Sequence, residues 1–103
     1  MGRVSFATTQ LKDKFKGNQD YARKVDEIVD RGPTFGTPGP TSLNAQAKHC
    51  HVDNQVGIAW RYLPGVFQNP KQEPCAEILA LGRKDGSSGQ GNSGYKWSQT
   101  GDI

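Results

Sequence analysis

Cysteine is scarce in this chain. Only Cys50 and Cys75 occur in 103 residues, too few for the disulfide framework of a small secreted domain. Both fall in segments that read as strands. They fit two reduced, buried thiols, or else a single bridge, although a simple meander sets residues 56–62 between them. Long apolar runs are missing too. No stretch approaches the roughly 18 residues of a membrane span and the amino terminus has no signal-peptide core, so a cytoplasmic chain with no membrane partner is expected unless it is cut from something larger. Apolar residues reach only 33% with mean hydropathy −0.75, which predicts a thin core and extensive loops. One domain over residues 1–103, with 84–103 as a candidate flexible tail, is what this length supports. A strong excess of one charge is also absent: the net charge is +3 and the isoelectric point about 9.0.

Glycine and proline are plentiful, 13 and 6, and concentrate in residues 32–40 and 82–94. They do not suggest a wholly disordered chain. Between them lies the stretch that organises the sequence, residues 48–62, with its echo at 75–84. Val56, Ile58, Trp60 and Tyr62 alternate with Gly57, Ala59 and Arg61, the period of a half-buried strand. Asp53 and Asn54 supply the turn before it. In the preceding arm Cys50 and Val52 face a core, which sets His49 and His51 together on the other, outward face. Residues 75–81 read as a strand buried on both sides, ending in Gly82-Arg83-Lys84.

Upstream, residues 3–7 form a first strand, and Thr8 or Thr9 caps a short helix carrying Leu11 and Phe15. Tyr21, Val25, Ile28 and Val29 then make the stripe of a second helix, capped by Asn18 or Asp20 and stopped at Arg31-Gly32-Pro33. Residues 34–40 form neither helix nor regular strand and act as a crossover. Residues 64–74 are a long loop between two strands. The order is strand, two helices, then a three-stranded antiparallel meander: an α+β domain.

Cations sit early at Lys12, Lys14, Lys16, Arg23 and Lys24, and on or beside the sheet at Lys48, Arg61, Arg83, Lys84 and Lys96. A phosphate backbone is the commonest partner for such a face, and a solvated lysine-rich surface is the plainer alternative. Tyr95, Lys96 and Trp97 follow the glycine run as a base-stacking platform, or as a tail whose rings pack back on the sheet edge. His49 and His51 suit proton transfer near neutrality, an ordinary solvated strand face, or a zinc site with Asp53.

The two-helix segment leading to Ser42-Leu43, the stretch His49-Cys50-His51-Val52 through Trp60-Arg61-Tyr62, and Ile78-Leu79-Ala80-Leu81-Gly82-Arg83-Lys84 together resemble the RelE/ParE superfamily of bacterial toxins. The resemblance implies a RelE-like β-α-α-β-β-β domain that is paired with a cognate antitoxin. In the RNA-cleaving branch it implies a ribosome-dependent mRNA endonuclease that inhibits translation without metal or other cofactor, the 2′-hydroxyl attacking its own phosphodiester. By position it makes His49, His51 and Arg83 catalytic. Lys84 and Tyr95 fall at family positions too, and with Lys48, Arg61, Lys96, Trp97, Lys12 and Lys16, which the basic surface and the aromatic platform supply, they form the RNA-binding set. Lys12 and Lys16 fit a ribosome- or solvent-facing helix, and Lys84, on the strand face opposite Arg83, is turned to rRNA. The sequence departs from the family pattern where Gly57 stands near the usual phosphate-binding Arg and where residues 86–94 lengthen the link to Tyr95. A gyrase-directed toxin of the same fold, a tRNA-cleaving domain of a larger secreted protein, and a non-enzymatic RNA-binding module are the alternatives; residues 10–16 are mildly similar to tRNA-cutting domains.

Overall fold

A computed structural model of the chain describes residues 3–32, 35–67, 74–84 and 94–103, excluding the side chains of residues 3, 63–67, 74 and 75. The elements are β1 (Arg3–Phe6), α1 (Thr9–Lys16), α2 (Gln19–Arg31), β2 (Thr37–Pro38), β3 (Lys48–His51), β4 (Val56–Phe67), β5 (Pro74–Lys84) and β6 (Tyr95–Ser98). This is a mixed α and β domain with one sheet of six strands in the order β1-β5-β4-β3-β2, β6 also pairing with β5.

The helices begin and end where the chain supplies caps. Thr8 Oγ1 accepts from Leu11 N at 3.1 Å and starts α1, while donating to the carbonyl of Gln99 at 2.7 Å. Asn18 Oδ1 accepts from the backbone of Asp20 and Tyr21 and starts α2; Gly32, at φ +81°, ends it. Eight residues form a marginal helix alone, so α1 depends on docking. Leu11 and Phe15 provide it, joining Val25 and Ile28 of α2 against Ile58, Trp60, Ala76, Ile78 and Leu81 of the sheet. Full burial of each such aliphatic side chain is worth about 1.5–3 kcal/mol. Tyr62 fastens the end of α2 by donating to the Ile28 carbonyl at 2.8 Å.

The other face of the sheet has its own small cluster. Ala47, Ala59, Leu79 and Ala80 pack there with Leu43 and Trp97. Leu43 and Ala47, from the segment before β3, pack on the small strand residues Ala59 and Ala80, and Gly39 N bonded to Ala47 O at 2.8 Å prolongs the pairing of β2 with β3.

Three consecutive strands, β3, β4 and β5, pair antiparallel in sequence order, as the pattern of residues 48–84 leads one to expect. The strand count differs from the four anticipated. β1 runs parallel to β5 through Arg3↔Cys75 to Phe6↔Ile78. Thr37–Pro38, in the crossover thought to lack strand, pairs with His49 and Lys48. Tyr95–Ser98 pairs with β5, which fits the tail that packs back on the sheet. The two ends of the expected 64–74 loop are strand, β4 reaching Phe67 and β5 starting at Pro74; residues 68–73 and the glycine run at 85–93 lie outside the described residues. Cys50 carries no disulfide, and β4 separates its strand from that of Cys75.

Candidate functional site

Strand alternation sorts the sheet into a helix-covered face and an opposite face. Cys50, Ile58, Trp60 and Leu81 belong to the first. His49, opposite Ala59, and His51, opposite Gly57, therefore belong to the second. Across that face His51, Gly57, Gly82 and Trp97 fall in one row over β3, β4, β5 and β6. The two glycines clear the row. A Cβ on Gly82 would come within 2.6 Å of the Trp97 ring, and one on Gly57 within 3.0 Å of the Tyr95 ring. Both aromatics of β6 therefore lie flat over bare backbone, and Tyr95 leans far enough to reach β3.

There its hydroxyl meets His51 Nδ1 in a hydrogen bond. The ring centroids of His51 and Tyr95 are 5.6 Å apart, and those of Tyr95 and Trp97 5.0 Å. His49 stands at about 6 Å from all three, 6.1 Å from His51, 6.0 Å from Tyr95 and 6.1 Å from Trp97. The result is a joined cluster of two imidazoles, a phenol and an indole.

The two histidines differ sharply in setting. His49 is only 3% exposed, which corrects its expected placement on an outward surface. Trp97 and Tyr95 cover it from the sheet's far edge. Its Nδ1 lies 2.9 Å from the Pro38 carbonyl, which can only accept, so Nδ1 carries the proton; Thr37 Oγ1 lies 3.3 Å from the same nitrogen. Burial lowers its pKa below the ordinary histidine value, His51 adds to that effect, and the bond to Pro38 opposes it. His51 is exposed. Burial raises the Tyr95 pKa, with Asp53 contributing, so Tyr95 is held as the phenol.

Arg83 does not join this cluster. The register shifts by one residue between Ala59↔Ala80 and Trp60↔Ile78, leaving Leu79 as a bulge. Leu79 and Ala80 both turn to the second face. Beyond the bulge every side chain of β5 is on the face opposite to the one simple alternation gives. Arg83 consequently falls on the helix face, where it borders an open cleft of about 450 Å³ with Tyr21, Asp53 and Val56. Lys84, expected on the far face, stands on the histidine face as the cross-strand neighbour of Tyr95.

The other cations separate along the same division. Lys48, opposite Trp60, and Lys96, opposite Arg83, belong to the helix face. Lys12 and Lys16 lie on α1 and border a groove with Phe6, Phe15 and Val25, remote from the imidazoles. Arg61 is on the histidine face, but its Nε is 2.9 Å from Glu77 Oε1, a half-buried cross-strand ion pair that occupies it. Of the expected catalytic and RNA-binding residues, then, His49, His51, Tyr95, Trp97 and Lys84 come together, Arg61 sits on the same face in an ion pair, and Arg83, Lys96, Lys48, Lys12 and Lys16 do not. Thr37 and Pro38 enter the site unforeseen; nothing in a crossover rich in proline signals a carbonyl that fixes a histidine. Glycines inside two strands are the one sequence cue to the ring approach. Among the described residues no cluster of three or more His, Cys, Asp or Glu is placed to hold a metal ion, so His49, His51 and Asp53 do not form one. No helix among the described residues is long and apolar enough to cross a membrane.

No family model and no solved structure matches this chain. Trefoil factor 1 of Canis lupus familiaris is similar over 41 residues at 42% identity, which is 39% of this chain and 51% of that protein. The chain thus spans about half the length of the curated relative it matches, and so short a similarity places it in no family.

Proposed function

We propose that the chain is an endoribonuclease that cuts RNA through its own 2′-hydroxyl without a metal, in the manner of the ribosome-dependent mRNA endonucleases of the RelE/ParE superfamily. The observation that carries this is the bond between Tyr95 and the exposed His51 on the face that also presents Lys84. Cleavage of this kind needs a proton-transfer group and positive charge at the phosphorane, both on open ground where a strand of RNA can lie. His51 supplies the first, being an exposed imidazole that can both take and give a proton. Lys84 supplies the second. His49 is too deeply covered to meet a ribose; it is a neutral ring that holds the cluster to β2. Trp97, half-buried at the margin, is the surface on which a base stacks. The toxin reading extends to a cytoplasmic protein that acts on mRNA at the ribosome and is neutralised by a cognate antitoxin.

The test is to incubate the purified protein, in EDTA, with ribosomes translating an mRNA, with free tRNA, and with gyrase and plasmid DNA. Cuts in the mRNA ending in a 2′,3′-cyclic phosphate, lost in His51→Ala, are the expected result. Cuts in free tRNA alone move the chain to the tRNA-cleaving alternative, and gyrase poisoning without RNA cleavage to the gyrase-directed one. Binding to RNA with no cut in any mixture leaves an RNA-binding module.

A further inference from the structure

Tyr95 is about 7% exposed, and a phenol so placed gives its hydroxyl proton to an acceptor within the protein where one lies in reach. His51 Nδ1 is the acceptor in contact with it. The phenol is also kept protonated by burial. A neutral imidazole that accepts at Nδ1 carries its single proton on Nε2. His49 is set the other way, because the Pro38 carbonyl accepts from its Nδ1. Two neighbouring histidines on one strand are thereby locked in opposite tautomers.

We infer that Tyr95 is a positioning residue that makes His51 the acid of the reaction and prevents it from being the base. In its neutral form His51 has no lone pair free on Nε2 with which to take a proton from an attacking hydroxyl. When the ring gains a proton, the Tyr95 hydroxyl turns to accept from Nδ1–H, its own proton passing to the water that reaches the exposed His51, and Nε2–H remains the outward donor. The step then balances as follows. The 2′-oxygen bonds to phosphorus and releases its proton to water, the bond from phosphorus to the 5′-oxygen breaks, and the Nε2 proton of the His51 imidazolium passes to that departing oxygen. Solvent reprotonates His51. The titratable and charged groups around it are His49 on its own strand, Asp53 in the following turn, Lys84 on β5 and Tyr95 on β6; of these Lys84 faces the phosphate and His49 is neutral.

This inference rests on the nuclease reading, and its test separates the two. Long-range 15N–1H correlation spectra of the free wild-type protein, taken where both histidines are neutral, report the tautomers. The expected result is Nε2–H for His51 and Nδ1–H for His49. Tyr95→Phe retains the ring over Gly57 and removes the hydroxyl; there His51 becomes a mixture of tautomers, and kcat falls about tenfold with KM unchanged, the scale of losing a second-sphere partner. In the wild type kcat declines as pH rises through the titration of His51 followed in the same spectra, and His51→Ala does not cleave at any pH. Cleavage with an Nδ1–H tautomer at His51, or a kcat that rises through its titration, overturns the acid assignment and leaves the nuclease. Absence of any cleavage, with the tautomers as stated, removes the nuclease and the acid role together.

Discussion

Lys84 and His51 share a face of the sheet because β5 holds one residue more than its partner strand. With Leu79 bulged, Lys84 stands beside Tyr95 and Arg83 turns toward the helices. Straight alternation from Ala76 and Ile78 reverses the two. The adjacent cations therefore separate by face. If the histidine face cuts RNA, Lys84→Ala lowers kcat about 10²–10³-fold, the usual loss on removing one charged donor from a phosphorane site. Arg83→Ala leaves kcat near the wild-type value. Steady-state kinetics of the two variants on one RNA decide it, and the opposite ranking rejects the placement of the two side chains.

The bulge also shows where the sequence stops being informative. The stripe Tyr21, Val25 and Ile28 and the alternation of Ile58, Trp60 and Tyr62 each have one apolar side, so helix and strand faces were legible, and all six pack in the core the pattern predicts. Residues 75–81 are apolar on both sides. An extra residue there changes no hydrophobic pattern, and the face on which Arg83 emerges is hidden as a result. The paired histidines were visible as a pair, but the burial of His49 was not, because its cover comes from Trp97 and Tyr95, which are distant in sequence. β2 was hidden for another reason: a two-residue strand carries no periodicity at all.

Gly57 is the position that tests the approach of Tyr95. A Cβ there meets Tyr95 Cε1 and Cζ at 3.0 Å and the Cys50 carbonyl at 3.1 Å. Gly57→Ala should cost about 1–3 kcal/mol, the range for overpacking a close contact, and should separate Tyr95 from His51. In a Tyr95→Ala background the same change should cost clearly less, since the ring is no longer there to be displaced. Urea midpoints for the four proteins of this cycle give the answer. Equal costs in both backgrounds would locate the strain at the Cys50 carbonyl instead.

The burial of His49 links stability to pH. Its folded pKa is depressed below the unfolded value of about 6.5. At higher pH both states are neutral and nothing is lost. As pH falls through about 6.5 the unfolded chain binds a proton that the folded chain refuses, so stability declines by at most about 1.4 kcal/mol per pH unit until the folded pKa is reached. His49→Asn keeps an N–H donor near the position of Nδ1 and has no titration. Its stability should fall less than that of the wild type between pH 7.5 and 5.5. Parallel slopes for the two proteins would assign the acid sensitivity to other groups.

Cys50 offers a measurement independent of any reaction. It faces α2 from β3, and burial pushes its thiol up to about 11. Thiolate is the reactive form, so a shift of that size from an ordinary thiol leaves on the order of 100-fold less of it at pH 8. In a Cys75→Ser protein, Cys50 should react with iodoacetamide at least that much more slowly in the folded state than in urea. The rate should rise about tenfold per pH unit up to pH 10 while the fold persists. A folded-state rate close to that in urea would mean that the thiol reaches solvent. The packing of β3 beneath α2, on which the opposite placement of His49 and His51 depends, would then be wrong.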